Sequence, residues 1–149
     1  MVETLVKDTQ LLPAPRAQVF AKLVEWTRYP EWNPYIIRID GQPQVGQTIR
    51  VFFSMGFGPA MPLTCHVAIV DHAKTMLAWD YKAFLPWLYT ARHTFAVEDS
   101  SAGQSLIIQT EDIKGLMASS LFRIFHKLLQ RRFQVMHAAL MKRVAHAAA

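Results

Sequence analysis

From residue 115 to about residue 146 the chain lacks proline, and small or apolar residues recur every third or fourth place: Ala118, Leu121, Phe125, Leu128, Leu129, Phe133, Met136, Leu140 and Val144. That spacing gathers side chains on one face of an α-helix. At ~1.5 Å per residue such a helix would run roughly 40 Å, too long for a compact bundle when no similar helix accompanies it. Something broad and flat must cover its apolar face.

Upstream the pattern changes twice. Residues 3 to 12 mix apolar, polar and β-branched side chains and stop at Leu12-Pro13-Ala14-Pro15, which predicts a first strand. Pro15 suits the first turn of a helix, and Val19, Phe20, Leu23, Val24 and Trp26 give the following turns an apolar stripe as far as Trp26 or Thr27. In Tyr29-Pro30-Glu31-Trp32-Asn33-Pro34-Tyr35, prolines four apart forbid a regular helix but allow one turn beginning at Pro30. Asn33 is expected to hold that corner by bonding nearby backbone.

Between residues 36 and 114, short apolar and alternating runs predict strands near 36 to 41, 47 to 55, 63 to 71, 76 to 83, 88 to 97 and 105 to 114. Short connections make sequence neighbours antiparallel neighbours. The order of strand, two short helices, six strands and long helix predicts an α+β domain: a curved seven-stranded antiparallel sheet wrapped around the C-terminal helix.

Composition refines this picture. With 149 residues the chain is expected to be one domain, and its single cysteine, Cys65, excludes an internal disulfide framework. The first residues lack the charged and apolar regions of a signal peptide, and no 18-residue apolar run occurs, so a cytoplasmic location is expected. The formal charge of +5 lies entirely in the last helix. Residues 115 to 149 hold Arg123, Lys127, Arg131, Arg132, Lys142 and Arg143 and no acidic residue, against ten basic and eleven acidic residues before them. A solvated helix face accounts for this, and so does peripheral contact with an anionic membrane or an acidic partner; nucleic acid is not expected.

The chain resembles the START-like superfamily, whose helix-grip fold is shared by birch-pollen-allergen-like proteins, lipid-transfer START domains and the polyketide cyclase/dehydrase group, the bacterial SRPBCC proteins among them. The resemblance rests on Pro13 to Phe20, on Tyr29 to Pro34, on Leu77-Ala78-Trp79, on His93-Thr94-Phe95 and on Glu111 to Leu116. It implies an elongated cavity between a concave sheet and the last helix. It also implies a small hydrophobic or amphipathic ligand such as a lipid, a polyketide or an isoprenoid, with a cyclase- or dehydratase-type enzyme as the alternative. Geometry points to the same hollow, because a curved sheet facing one helix encloses a wedge that side chains need not fill.

In the strand 88 to 97, Tyr89, Ala91, His93, Phe95 and Val97 share the better candidate for the concave face. His93 is there a satisfied core histidine, a ligand contact or an acid and base. Along 105 to 114 both faces carry apolar residues, so parity leaves open whether Glu111 points inward. Its place in the family-like segment suggests that it does, which would pair it with His93. The ligand contacts expected are Trp26, Trp32, Phe53, Trp79, Tyr81, Tyr89, His93, Phe95, Glu111, Phe125 and Met136, with His93 and Glu111 the candidates for proton transfer. Trp79 is either a core plug or a stacking wall.

Large apolar residues in two loops, Met55, Phe57 and Met61 in the glycine-rich stretch from Phe52 to Pro62 and Leu85 and Trp87 around Pro86, fit a gate over an apolar ligand and a dimer contact equally. A monomer and a homodimer both remain open. No metal or other cofactor is expected: His126 and His137 are eleven residues apart, beyond joint ligation, and Cys65 and His66 are neighbours on a strand and so face opposite ways.

Overall fold

In the computed structural model, which describes residues 2–148, the chain runs β1 (Glu3–Leu12), α1 (Arg16–Val24), a 3-10 turn (Trp26–Arg28) and α2 (Tyr29–Trp32). Then come β2 (Ile36–Asp40), β3 (Thr48–Phe53), β4 (Met61–Asp71), β5 (Met76–Lys82), β6 (Thr90–Asp99), β7 (Ser105–Lys114) and α3 (Ala118–Ala148). The seven strands form one antiparallel sheet in the order β1-β7-β6-β5-β4-β3-β2. Each strand from β2 to β7 pairs with its sequence neighbour, and β1 closes the far edge against β7.

The short helices follow from local chemistry. Pro15 caps α1, its carbonyl accepting from the amides of Gln18 at 3.0 Å and Val19 at 3.2 Å, and Val19, Phe20 and Leu23 are buried. The prolines confine α2 to a single turn with Pro30 in its first positions. Asn33 Oδ1 then accepts from the amides of Tyr35 at 3.0 Å and Ile36 at 2.9 Å, so the side chain starts β2 as expected. Gly115, at φ 118°, turns the chain from β7 into α3; a Cβ there would stand 2.4 Å from the Leu88 carbonyl oxygen, so only glycine fits.

Two bulges, between Thr4 and Val6 and between Val67 and Ile69, shift the register and bend the sheet. Its inner face carries Ile49, Val51, Cys65, Val67, Leu77, Trp79, Phe95, Val97 and Ile107 into one core. The helix face foreseen from the sequence is buried over only half its length. Ala118, Phe133, Met136, Leu140 and Val144 are buried, but Leu121, Leu128 and Leu129 are partly buried and Phe125 is 38% exposed. Sequence periodicity fixes which side of a helix is apolar, not how closely another element approaches it. Here α3 packs chiefly along β1, and the side chains of its first half are left more open than those from Phe133 onward.

Candidate functional site

Three neighbouring strands place three side chains in a row. In the pairing register Trp79 on β5 stands opposite His93 on β6, which stands opposite Glu111 on β7, and directly opposite residues point to the same face. One step along, Phe95 is opposite Gln109. Buried residues alternate along β7 as Ser105, Ile107, Gln109 and Ile113, so Glu111 lies on the inner face. The question that apolar residues on both faces left open is thereby answered.

His93 is 3% exposed and uses both ring nitrogens. Its Nδ1 lies 2.7 Å from Glu111 Oε2, and its Nε2 lies 2.9 Å from Gln109 Nε2. The amide N–H donates to Nε2, so the ring proton sits on Nδ1 and donates to the carboxylate. A half turn of the amide would present Gln109 Oε1, which is buried without a partner among the described residues, to a protonated Nε2. One glutamine thus accommodates both charge states of the imidazole. Aromatic rings enclose the group: Trp79 stacks on it at 5.1 Å and 11°, with Phe95 at 4.8 Å, Phe133 at 5.4 Å and Phe53 at 6.5 Å.

Glu111 is the least enclosed member, with 17% of its side chain exposed. Its second oxygen, Oε1, takes part in no hydrogen bond among the described residues. Burial, and after it the charge of Glu111, raises the phenols of Tyr35 and Tyr89 well above their ordinary value. The same two causes push the Cys65 thiol up to about 12, which leaves it protonated and a poor nucleophile. His66, its neighbour in sequence, is exposed on the outer face, as strand alternation requires.

A second polar pair lies under α3. His137, 1% exposed, meets Asp8 Oδ2 through Nδ1 at 2.8 Å, while its Nε2 is buried without a partner among the described residues. Desolvation lowers its pKa against the opposing pull of Asp8, and the nearby His93 adds to the lowering. Farther up the helix, Arg132 donates from Nε to the Ser54 carbonyl at 3.0 Å and from Nη2 to the Pro34 carbonyl at 2.6 Å, tying the β3–β4 loop to α3.

Of the ligand contacts expected from the sequence, Phe53, Trp79, Phe95 and Glu111 surround His93, Trp26 meets Trp79 edge-on at 6.0 Å, and Met136 Sδ lies 3.8 Å from Gln109 Nε2. Tyr81 and Tyr89 pair at 5.8 Å and are partly buried. Two expected contacts stand apart. Phe125 is on the exposed half of α3, and Trp32 faces a concavity of about 360 Å3 lined also by Ala139, Lys142, Arg143 and His146. Another, of about 380 Å3, lies over β5, β6 and β7 beside Asp80, Arg92 and Asp112, and neither concavity is lined by His93 or Glu111. Gln109, Phe133 and Tyr35 were not foreseen as site residues. Gln109 shares strand parity with Glu111 and Phe133 belongs to the helical stripe, so both carried a signal. Tyr35 carried only that of an aromatic corner.

No family model and no curated protein sequence matches the chain. Solved structures do. The Zhui aromatase/cyclase of a Streptomyces species superposes with a TM-score of 0.80 at 14% identity, covering 100% of this chain and 97% of that one. Norcoclaurine synthase of Thalictrum flavum, determined as a point mutant with a transition state analogue, gives 0.75 at 13% identity over 100% and 98%. A START superfamily protein of Mycobacterium smegmatis gives 0.73 at 13% identity over 95% and 97%. The chain therefore has the helix-grip fold of START-like proteins, and at these identities the likeness is one of fold.

Proposed function

We propose that the chain binds a small hydrophobic or amphipathic molecule between the sheet and the first half of α3, with the molecule's polar end against Glu111. The observation that carries this reading is the carboxylate itself. Glu111 is fixed through Oε2 by His93, has no protein partner for Oε1 among the described residues, and sits beside aromatic rings at the partly exposed end of the core. A carboxylate oxygen reachable from the open side can accept from a hydroxyl or an amine that a ligand brings in place of water. Partly buried Met55, Leu63, Tyr81, Tyr89, Leu121 and Leu129 supply apolar surface for the rest of the molecule. Burying roughly 300 Å2 of it at ~25 cal/mol per Å2 would contribute on the order of 7 kcal/mol before ordering costs, enough for binding without catalysis. The helix-grip neighbours named an aromatase/cyclase and a START superfamily protein support a ligand-holding role.

The test is a calorimetric titration with two probes of one shape, naphthol and naphthoate. Naphthol is expected to bind at least about tenfold more tightly, since its hydroxyl donates to Glu111 and the carboxylate is repelled. Equal affinities, or no binding of either, would overturn the reading.

One contact favours a cyclase- or dehydratase-type enzyme as the second reading. At 2.7 Å, His93 Nδ1 and Glu111 Oε2 form a carboxylate–imidazole pair able to take a proton from a carbon next to a carbonyl at Glu111 Oε1. Deuterium exchange into a naphthyl methyl ketone probe, faster than in buffer and lost in Glu111→Gln, would carry that reading; exchange at the buffer rate removes it.

A further inference from the structure

We propose that the end of the molecule formed by the β3–β4 loop, the β5–β6 loop and the first half of α3 docks on an anionic membrane surface. The three segments are one surface. The amides of Leu116 and Met117 donate to the carbonyls of Trp87 at 3.3 Å and Leu88 at 3.2 Å, which ties the β5–β6 loop to the start of α3. Arg132 ties the β3–β4 loop to the same helix through Ser54. The fourteen helical steps from Ala118 to Arg132 span about 21 Å at ~1.5 Å each, so the two loops flank the half of α3 that is least buried.

That surface presents large apolar side chains to water. Phe84 is 99% exposed, Leu116 77%, Phe57 72%, Ile124 68% and Trp87 60%. Scattered singly such residues need no explanation, but five on connected segments make a patch that an apolar phase would cover. The charge is equally one-sided. Residues 54 to 61, 83 to 89 and 115 to 131 contain Arg123, Lys127 and Arg131 and not one Asp or Glu. Arg123, Lys127 and Arg131 are all exposed, on the same stretch of helix as Ile124. Apolar tips that enter the acyl boundary, with cations level with the headgroups, is the arrangement that holds a protein on an anionic bilayer.

Two features select a bilayer over a second copy of the chain. A two-fold contact through this patch would set Arg123, Lys127 and Arg131 of one copy against those of the other, and Glu3, which accepts from Ser119 at 3.3 Å, is too little acidic charge to pair them. The most exposed ring, Phe84, also lies in a loop two residues beyond β5 and six short of β6, suited to insertion rather than to a flat interface. The inference stands whatever His93 and Glu111 hold.

The test is sedimentation of the full chain with vesicles of phosphatidylcholine alone and with roughly a third phosphatidylglycerol, at low and high salt. Binding is expected only to the anionic vesicles and is expected to weaken as salt rises. Trp87, the most exposed tryptophan, should shift its emission to the blue and be quenched by brominated lipid. Arg123→Glu with Lys127→Glu, and separately Phe84→Asp with Trp87→Asp, should each cut partitioning at least about tenfold while the unfolding temperature stays put, since all four side chains are exposed. No binding to anionic vesicles at low salt would overturn the proposal, and so would variants that bind like the parent. A dimer that Trp87→Asp dissolves, or binding to polyglutamate, in either case without vesicle binding, would reassign the patch to a second copy or to an acidic protein.

Discussion

Replacing Glu111 by Gln separates the carboxylate's charge from its shape. The amide keeps an oxygen for the His93 Nδ1–H that now meets Oε2 at 2.7 Å, so the buried imidazole is not orphaned. What is lost is the charge assistance. A hydrogen bond to an ionised partner is worth about 1.5–3 kcal/mol and a neutral one about 1, so stability should fall by roughly 0.5–2 kcal/mol. The same difference applies to a ligand hydroxyl on Oε1, and naphthol should bind about 2- to 30-fold more weakly. Naphthoate should move the other way. Two like charges about 4 Å apart repel by as much as ~4 kcal/mol at an effective dielectric constant near 20, and removing one of them should tighten the carboxylate probe. Calorimetric titration of both proteins with both probes, with urea unfolding as the control, reads these changes. General loosening of the site would weaken both probes together. Affinities that change in the same direction, or not at all, would refute the claim that a Glu111 oxygen meets the ligand.

His137 makes stability depend on pH. Burial lowers its folded pKa below 6.5, so as pH falls through 6.5 the unfolded chain takes up a proton that the folded chain resists. Stability should therefore drop on acidification, by at most about 1.4 kcal/mol per pH unit, until the lowered folded value is reached. Asp8 on β1 and His93 on β6 face the same group, so the measurement is the difference in urea unfolding between the parent and His137→Gln, which should lack this component of the slope. In Asn33→Ala the amides of Tyr35 and Ile36 lose their acceptor inside the core. At about 1–2 kcal/mol for each orphaned group the loss should be roughly 2–4 kcal/mol, seen as a lower unfolding temperature with unchanged far-ultraviolet circular dichroism.

The strands were legible because their physics is local. Gly41, Gly46, Gly56 and Gly103 all take positive φ in or beside the turns that end the apolar runs, and β1 and α1 meet around Pro13 and Pro15 as the proline chemistry requires. The pairing of β1 with β7 could not be read the same way, because it joins the first strand of the chain to the last across roughly 100 residues. Periodicity placed His93 on the inner face, but Glu111 needed the register. Only the alignment of His93 with Glu111 and of Phe95 with Gln109 brings both polar side chains to one imidazole. The Asp8–His137 pair lay deeper still. Its members are 129 positions apart, and Asp8 sits in a strand whose bulge between Thr4 and Val6 resets which side chains face inward.

Helix α3 shows how one regular pattern serves two tasks. From Phe133 onward its apolar stripe is buried against β1 and the inner sheet, and at about 1.5–3 kcal/mol for each large side chain that half anchors the helix. Before Arg132 the same stripe continues in sequence but stays partly open, so moving that half forfeits little burial and need not unfold the rest. Arg132 marks the boundary, bonded to the carbonyls of Ser54 and Pro34. His93 and Glu111 lie at the same boundary, His93 against Phe133 on the anchored side and Glu111 partly exposed. A polar pair held rigidly by one half of a helix and reached past the other half can be exact in geometry and still accessible. Packing α3 tightly along its whole length would add stability and close that approach to Glu111.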